Sequence, residues 1–163
     1  MKIMIFLHGT TIMHGGGVGR TREERVRQVV DREESVRDFD SYVPIDHAVA
    51  KLQTWKEQGA EIVYLSSHRA VEDVEKDQSV LRAYAFPTGE VLFRRDGEDY
   101  RHVAERIAPD ILVEDDCESI GGEEEMTYPH IQPGLKARIK SIAVKEFGGI
   151  DHLPDQIAAL VDY

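Results

Sequence analysis

The sequence predicts an α/β fold, a three-layer α/β/α sandwich on a mainly parallel sheet, and three observations predict it. Short apolar runs alternate with stretches of helical length, in the order strand, helix, strand, helix, strand, helix, strand. The first run, "KIMIFL", is continuously apolar after its lysine, as a strand covered on both faces is. Three of the runs stop at polar clusters, "HGTT", "SSHR" and "EDD", where parallel sheets hold their ligands.

The elements follow in order. "KIMIFL" (residues 2–7) is the first strand, and residues 8–20 are loop. From Thr21 the charged stretch "TREERVRQVVDREESVRDF" carries only sparse apolar residues, Val26, Val29 and Val30. It reads as a solvent-washed helix or an arm, so residues 13–43 form a loop or a minimal cap within a single domain spanning 1–163. "PIDHAVAKLQTWKEQG" is a helix: Pro44 and Asp46 mark its start, Val49, Leu52 and Trp55 share a face, and Gly59 stops it. "AEIVYLSSHR" is the second strand, running into Ser66 and Ser67, and a helix follows from Val71 to Tyr84. After the turn "FPTG", "EVLFR" is a short strand, and "DYRHVAERIAP" is a helix closed by Pro109. "DILVEDD" and "SIAVKEF" are the last two strands, and "LPDQIAALVDY" is a final helix starting at Pro154.

Composition bounds the function. The 163 residues suit one domain with one core, and 41% hydrophobic with 31% charged residues excludes a disordered chain. No apolar run approaches the roughly 20 residues of a membrane span. "IMIFL" is too short for a secretory leader, so a cytoplasmic protein is expected. The lone Cys117 excludes an internal disulfide and a multi-cysteine zinc site. A net charge of −11 argues against binding a nucleic-acid backbone, but a small phosphorylated ligand needs only a local positive pocket.

The strand ends carry the chemistry. Glu114, Asp115 and Asp116 are adjacent carboxylates that repel one another, and a cation such as Mg²⁺, basic side chains or helix N-termini would relieve that repulsion. One of them capping the turn "CESIGG", with the others solvated, is the plainer alternative. Ser66 and Ser67 offer hydroxyls for an anion at a helix start, or a simple helix cap. "HGGGVGRT" fails as a nucleotide phosphate loop: Gly15 and Gly19 are too close, Arg20 replaces the lysine, and the loop lies well past the strand end. His47, His102 and His130 read as surface or helix residues, and His152 sits beside a helix start. His8, His14 and His68 all fall near strand ends and could converge on a metal, which sequence spacing alone does not decide.

With "IFLHGTT", "IVYLSSHR" and "DILVEDD" in this order, the chain resembles the haloacid dehalogenase superfamily over most of its length, from the first strand to the acidic cluster. The resemblance implies a Rossmann-like sheet, a Mg²⁺ cofactor and a small phosphorylated compound or nucleotide as ligand. It aligns Gly9 and Thr10 with the family's Gly-Thr and Ser66, beside Ser67, with its phosphoryl-binding hydroxyl. Asp115, with Glu114 or Asp116, aligns with the acidic metal-binding pair, and Arg94, Arg95 or Arg101 with the basic residue. The departure lies in the first motif: Phe6 stands at the nucleophile position and His8 at the acid/base position. An aspartyl-phosphate mechanism is not open to this chain. Three outcomes survive: binding without turnover; catalysis through another nucleophile, His8 as a phosphohistidine or a Mg²⁺-activated water, with Asp115 as the other catalytic residue; and an inactive structural or protein-interaction domain. For the last, the proline-bounded "MTYPHIQP" is the candidate docking loop, through Met126, Tyr128 and Ile131.

Overall fold

The computed structural model describes residues 1–163. Five parallel strands form the central sheet: β1 (Lys2–Phe6), β4 (Glu61–Leu65), β5 (Glu90–Leu92), β6 (Ile111–Asp115) and β7 (Lys140–Val144). Their spatial order is β5-β4-β1-β6-β7, with every neighbouring pair parallel. β1 is therefore central: Phe6 pairs with Leu65 on one side, and Ile5 with Val113 on the other. The chain winds outward from β1 through β4 to β5, then crosses back to β6 and β7. That reversal puts a crevice at the carboxyl ends of β1, β4 and β6.

Successive side chains of β1 serve opposite faces of the sheet. Ile3, Ile5 and Leu7 join a core with Leu52 and Trp55 of α2 (Ala48–Glu57) and Val80 and Leu81 of α3 (Val71–Ala83). Met4 and Phe6 face a second core with Val103 and Ala104 of α4 (Tyr100–Ile107) and with Ile131 and Ile139, which flank α5 (Pro133–Lys136). Both faces being covered is why "KIMIFL" reads as apolar throughout.

The charged stretch after the first strand is helical in part. Thr21 caps α1 (Arg22–Val30) with a reciprocal bond to Glu24, and two 3₁₀ turns, Glu34–Arg37 and Phe39–Ser41, follow. The segment leaves and rejoins the body through a short antiparallel pair, β2 (Ile12–Met13) and β3 (Val43–Pro44). It is tied down where its polar side chains find partners within it and in the body. Gln28 receives His14 at 2.8 Å and donates to the Gly16 carbonyl, while Arg25 donates to the Phe147 carbonyl at 3.0 Å.

Three boundaries differ from the sequence reading. α2 starts at Ala48 rather than near Pro44, because Pro44 is spent in the β3 pairing and Asp46 takes a left-handed conformation (φ 46°). The last strand ends at Val144, which frees Glu146 and Phe147 to fold over the strand ends. The predicted final helix is only a 3₁₀ turn, Ile157–Leu160. Its backbone is claimed by α2 instead: Trp55 Nε1 donates to the Pro154 carbonyl, and Gln58 bonds both the Asp155 carbonyl and the Ile157 N–H. No helix is long and apolar enough to cross a membrane.

Because Ile5 is fully buried at the sheet centre, Ile5→Ala is expected to cost about 2–5 kcal/mol, read as a lower denaturation midpoint with an unchanged slope.

Candidate functional site

The loop after β1 is shaped by close packing. Gly9 is left-handed (φ 81°), and a Cβ there would lie 2.9 Å from Asp115 Oδ2 and 3.2 Å from Glu146 Cγ. Only glycine lets the β1 turn approach the acidic end of β6 so closely. Thr10 Oγ1 then donates to Asp115 Oδ2 at 2.8 Å, while Asp115 Oδ1 accepts from the Cys117 N–H at 3.0 Å. Thr11 Oγ1 donates back to the Phe6 carbonyl, closing the turn.

The three adjacent acids do not converge. The β6 pleat sends Glu114 to the far face, where it accepts the Thr127 and Tyr128 N–H groups at 2.7 and 2.9 Å. Asp116 pairs with Lys145 at 2.9 Å and accepts the Glu146 N–H. Asp115 alone turns toward the pocket, joined there by Glu146, which Ser119 holds through both its N–H and its hydroxyl. Burial pushes the carboxyls of Glu114, Asp115 and Glu146 above their ordinary pKa, whereas the Lys145 ammonium and the Glu146 N–H hold Asp116 below it, against desolvation.

This donor set does not fit the Mg²⁺ that the resemblance implies. Phe6 offers no oxygen, Glu114 and Asp116 are committed elsewhere, and both oxygens of Asp115 already accept protein donors.

On the other side of β1 lies a second polar centre. Asp77 of α3 is fully buried. Its Oδ2 accepts the Ser66 hydroxyl at 2.5 Å, and its Oδ1 lies 2.9 Å from His8 Nε2. His8 Nδ1 is 2.6 Å from the Ser67 hydroxyl and accepts the Ser67 N–H at 3.3 Å. An accepting Nδ1 puts the ring proton of neutral His8 on Nε2, facing Asp77. His68 packs edge-on to His8, with ring centroids 4.6 Å apart, and its Nε2 is buried without a hydrogen-bond partner. His14 bonds Gln28 instead and is no part of this cluster.

Between the two centres, Phe6 packs edge-on against Tyr100 (4.9 Å), and the Arg94 guanidinium lies over the Tyr100 ring (3.9 Å). Arg94 also donates to the Ser67 carbonyl at 2.8 Å, and its Nε is buried without a partner. A cavity of about 190 Å³ opens here, bordered by Phe6, His8, Ser67, Tyr100 and Asp115, with Val29, Val36 and Tyr42 of the 13–43 segment on its rim. Tyr100 and Glu125 also line a neighbouring cleft of about 410 Å³, which holds Arg94, Arg101 and His130. Arg95 is exposed, and its N–H bonds Glu98.

His8, Gly9, Ser67 and Asp115 thus border one cavity, with Thr10 beneath Asp115 and Ser66 behind the Asp77 carboxylate. Sequence reading missed Asp77, Tyr100 and Glu146. Asp77 had a signal: it sits among Val74, Val80 and Leu81 on the buried stripe of α3, where an acid needs a partner. Of the three docking-loop residues, Ile131 is buried and Tyr128 is partly buried against the α4 core. Met126 stays partly exposed and lines the 410 Å³ cleft, so the segment does not present the three as one free apolar face.

No family model matches the sequence, and no curated protein matches it. Among solved structures, the fold matches a class C acid phosphatase from Bacillus anthracis with tungstate bound, at a TM-score of 0.57 and 12% identity, covering 91% of this chain and 68% of that one. A universal stress protein in complex with cAMP aligns at a TM-score of 0.37 and 13% identity, over 90% of this chain and 97% of that one.

Folding favours protonated Asp115, so its stabilising contribution is complete below the ordinary carboxylate pKa and is lost as pH rises through the raised value. Asp115→Asn should therefore gain stability relative to the unaltered chain as pH rises above the ordinary carboxylate range, measured by paired thermal melts; a gap independent of pH contradicts the shift. The five-stranded parallel sheet and its match in fold show that this chain shares the α/β fold of the class C acid phosphatase.

Proposed function

We propose that the chain binds a small phosphorylated compound at the carboxyl ends of its strands and does not hydrolyse it through an aspartyl-phosphate. Arg94 carries this reading. It is a half-buried guanidinium, locked by stacking on Tyr100 and by the Ser67 carbonyl, and it keeps one buried N–H donor unspent. A fixed, partly desolvated guanidinium suits a phosphate oxygen better than a mobile surface lysine does. Arg101 in the same cleft supplies further donors, beside the carboxylates of Asp99, Glu124 and Glu125, and Tyr100 offers a ring wall shared with the strand-end cavity. The matching acid phosphatase holds tungstate, a tetrahedral oxyanion of the same shape as phosphate, which supports the ligand class.

Phe6 sets the limit on chemistry. Its ring is 8% exposed, packed on Tyr100, and offers no lone pair where the family keeps its nucleophile. His8 is also spoken for, between Asp77 and Ser67. The reading is therefore recognition, with Arg94 and Arg101 drawing in the phosphate and the Tyr100 side of the pocket receiving the rest of the molecule.

Calorimetry and thermal shift with inorganic phosphate, sugar phosphates and nucleoside monophosphates test it. At least one phosphorylated compound should bind saturably, and Arg94→Gln should weaken it about 10- to 100-fold, the loss of one charge-assisted bond. Mg²⁺-dependent phosphate release from the same compounds should be absent. No binding across the panel, or binding indifferent to Arg94→Gln, overturns the proposal.

A further inference from the structure

The polar centre between β1, β4 and α3 holds more than a hydrogen-bond network. His8 Nε2 lies 2.9 Å from Asp77 Oδ1, and His68 Nε2 lies 3.7 Å from the same oxygen. The ligand-capable atoms of the three residues all fall within 4.8 Å of one another. We propose that His8, His68 and Asp77 bind a first-row transition-metal ion of the zinc class.

The orphaned His68 nitrogen is the first reason. Its ring is fixed by Phe39, at a centroid distance of 4.2 Å, and by His8, yet its buried Nε2 has no hydrogen-bond partner. A network built only for stability would not strand that atom, since an unmet buried polar group costs about 1–3 kcal/mol. Geometry is the second. A tetrahedral ion with bonds of about 2.0–2.1 Å sets its ligands about 3.4 Å apart, and the observed 2.9 and 3.7 Å bracket that edge.

The surroundings are those of a metal site. Ser67 stands 2.6 Å behind the non-coordinating nitrogen of His8, and Ser66 holds the second oxygen of Asp77. Burial and the neighbouring His8 lower the pKa of His68, favouring the neutral ring that ligates. Two imidazoles and one carboxylate suit Zn²⁺ or Co²⁺, while Mg²⁺ prefers all-oxygen sites. On binding, Nε2 of His8 gives up its proton and Nδ1 gains one: the bond from the Ser67 N–H to Nδ1 is lost, and Nδ1–H donates to the Ser67 hydroxyl instead, so the net charge of the ring is unchanged. None of this depends on the phosphate reading, whose test turns on Arg94.

Metal-stripped protein titrated with Zn²⁺ by calorimetry, and with Co²⁺ by visible absorption, tests the site. One equivalent should bind saturably, Co²⁺ should show the intense bands of a four- or five-coordinate ion, and Mg²⁺ should not compete. His68→Phe keeps an aromatic ring against Phe39 and removes the ligand nitrogen. That variant should fold, by circular dichroism, and lose the site, while Ser67→Ala should weaken binding about 10- to 100-fold. Failure of the folded, unaltered chain to bind either ion overturns the proposal. So does a folded His68→Phe that binds with unchanged stoichiometry and affinity, because the ion would then sit on other residues.

Discussion

A fully buried carboxylate, Asp77, fixes the chemistry of this molecule. It lies on the apolar stripe of α3 and must be satisfied from within the protein. The partners at hand are the Ser66 hydroxyl at the end of β4 and the His8 ring at the end of β1. One side chain therefore ties a helix to the ends of two neighbouring strands. Charge-assisted bonds of this kind are worth about 1.5–3 kcal/mol each, and leaving the acid unmet would cost more than they gain. His8 turns toward β4, where Asp77 and Ser67 hold both of its ring nitrogens.

The two sides of β1 then diverge. On the β6 side, Gly9 lets the turn after β1 approach Asp115, Thr10 bonds that carboxylate, and Phe6 packs on Tyr100. On the β4 side, Ser66, Ser67, His8, His68 and Asp77 form a compact polar centre with nitrogen as well as oxygen donors. Arg94 bridges the halves, stacked on Tyr100 and bonded to the Ser67 carbonyl. The 13–43 segment lies over both, held by Arg22 on Glu118 and Arg25 on the Phe147 carbonyl.

The fold was legible because its signals are local. Continuous apolar runs mark strands covered on both faces, and the polar residues just past them mark the crevice; Ser67, His8 and Asp115 were found that way. The divergence of Glu114, Asp115 and Asp116 follows from the two-residue pleat of β6, and reading them as one cluster overlooked it. Asp77 lies mid-helix, far in sequence from His8, and only the packing of α3 brings them together. The tail was misread because Trp55 and Gln58 outbid its own helical bonds, a contact across the chain that local periodicity does not carry.

The most direct measurement is the protonation pattern of the His8 ring, read from long-range ¹H–¹⁵N correlations in the metal-free protein. The hydrogen-bond geometry predicts a proton on Nε2, toward Asp77, and an unprotonated Nδ1 accepting from the Ser67 N–H. Asp77→Asn should disturb that pattern, and Asp115→Asn should leave it intact. A His8 ring that averages its tautomers as a solvent-exposed imidazole does, or that responds to Asp115→Asn and not to Asp77→Asn, would contradict the assignment of His8 to the Asp77 centre.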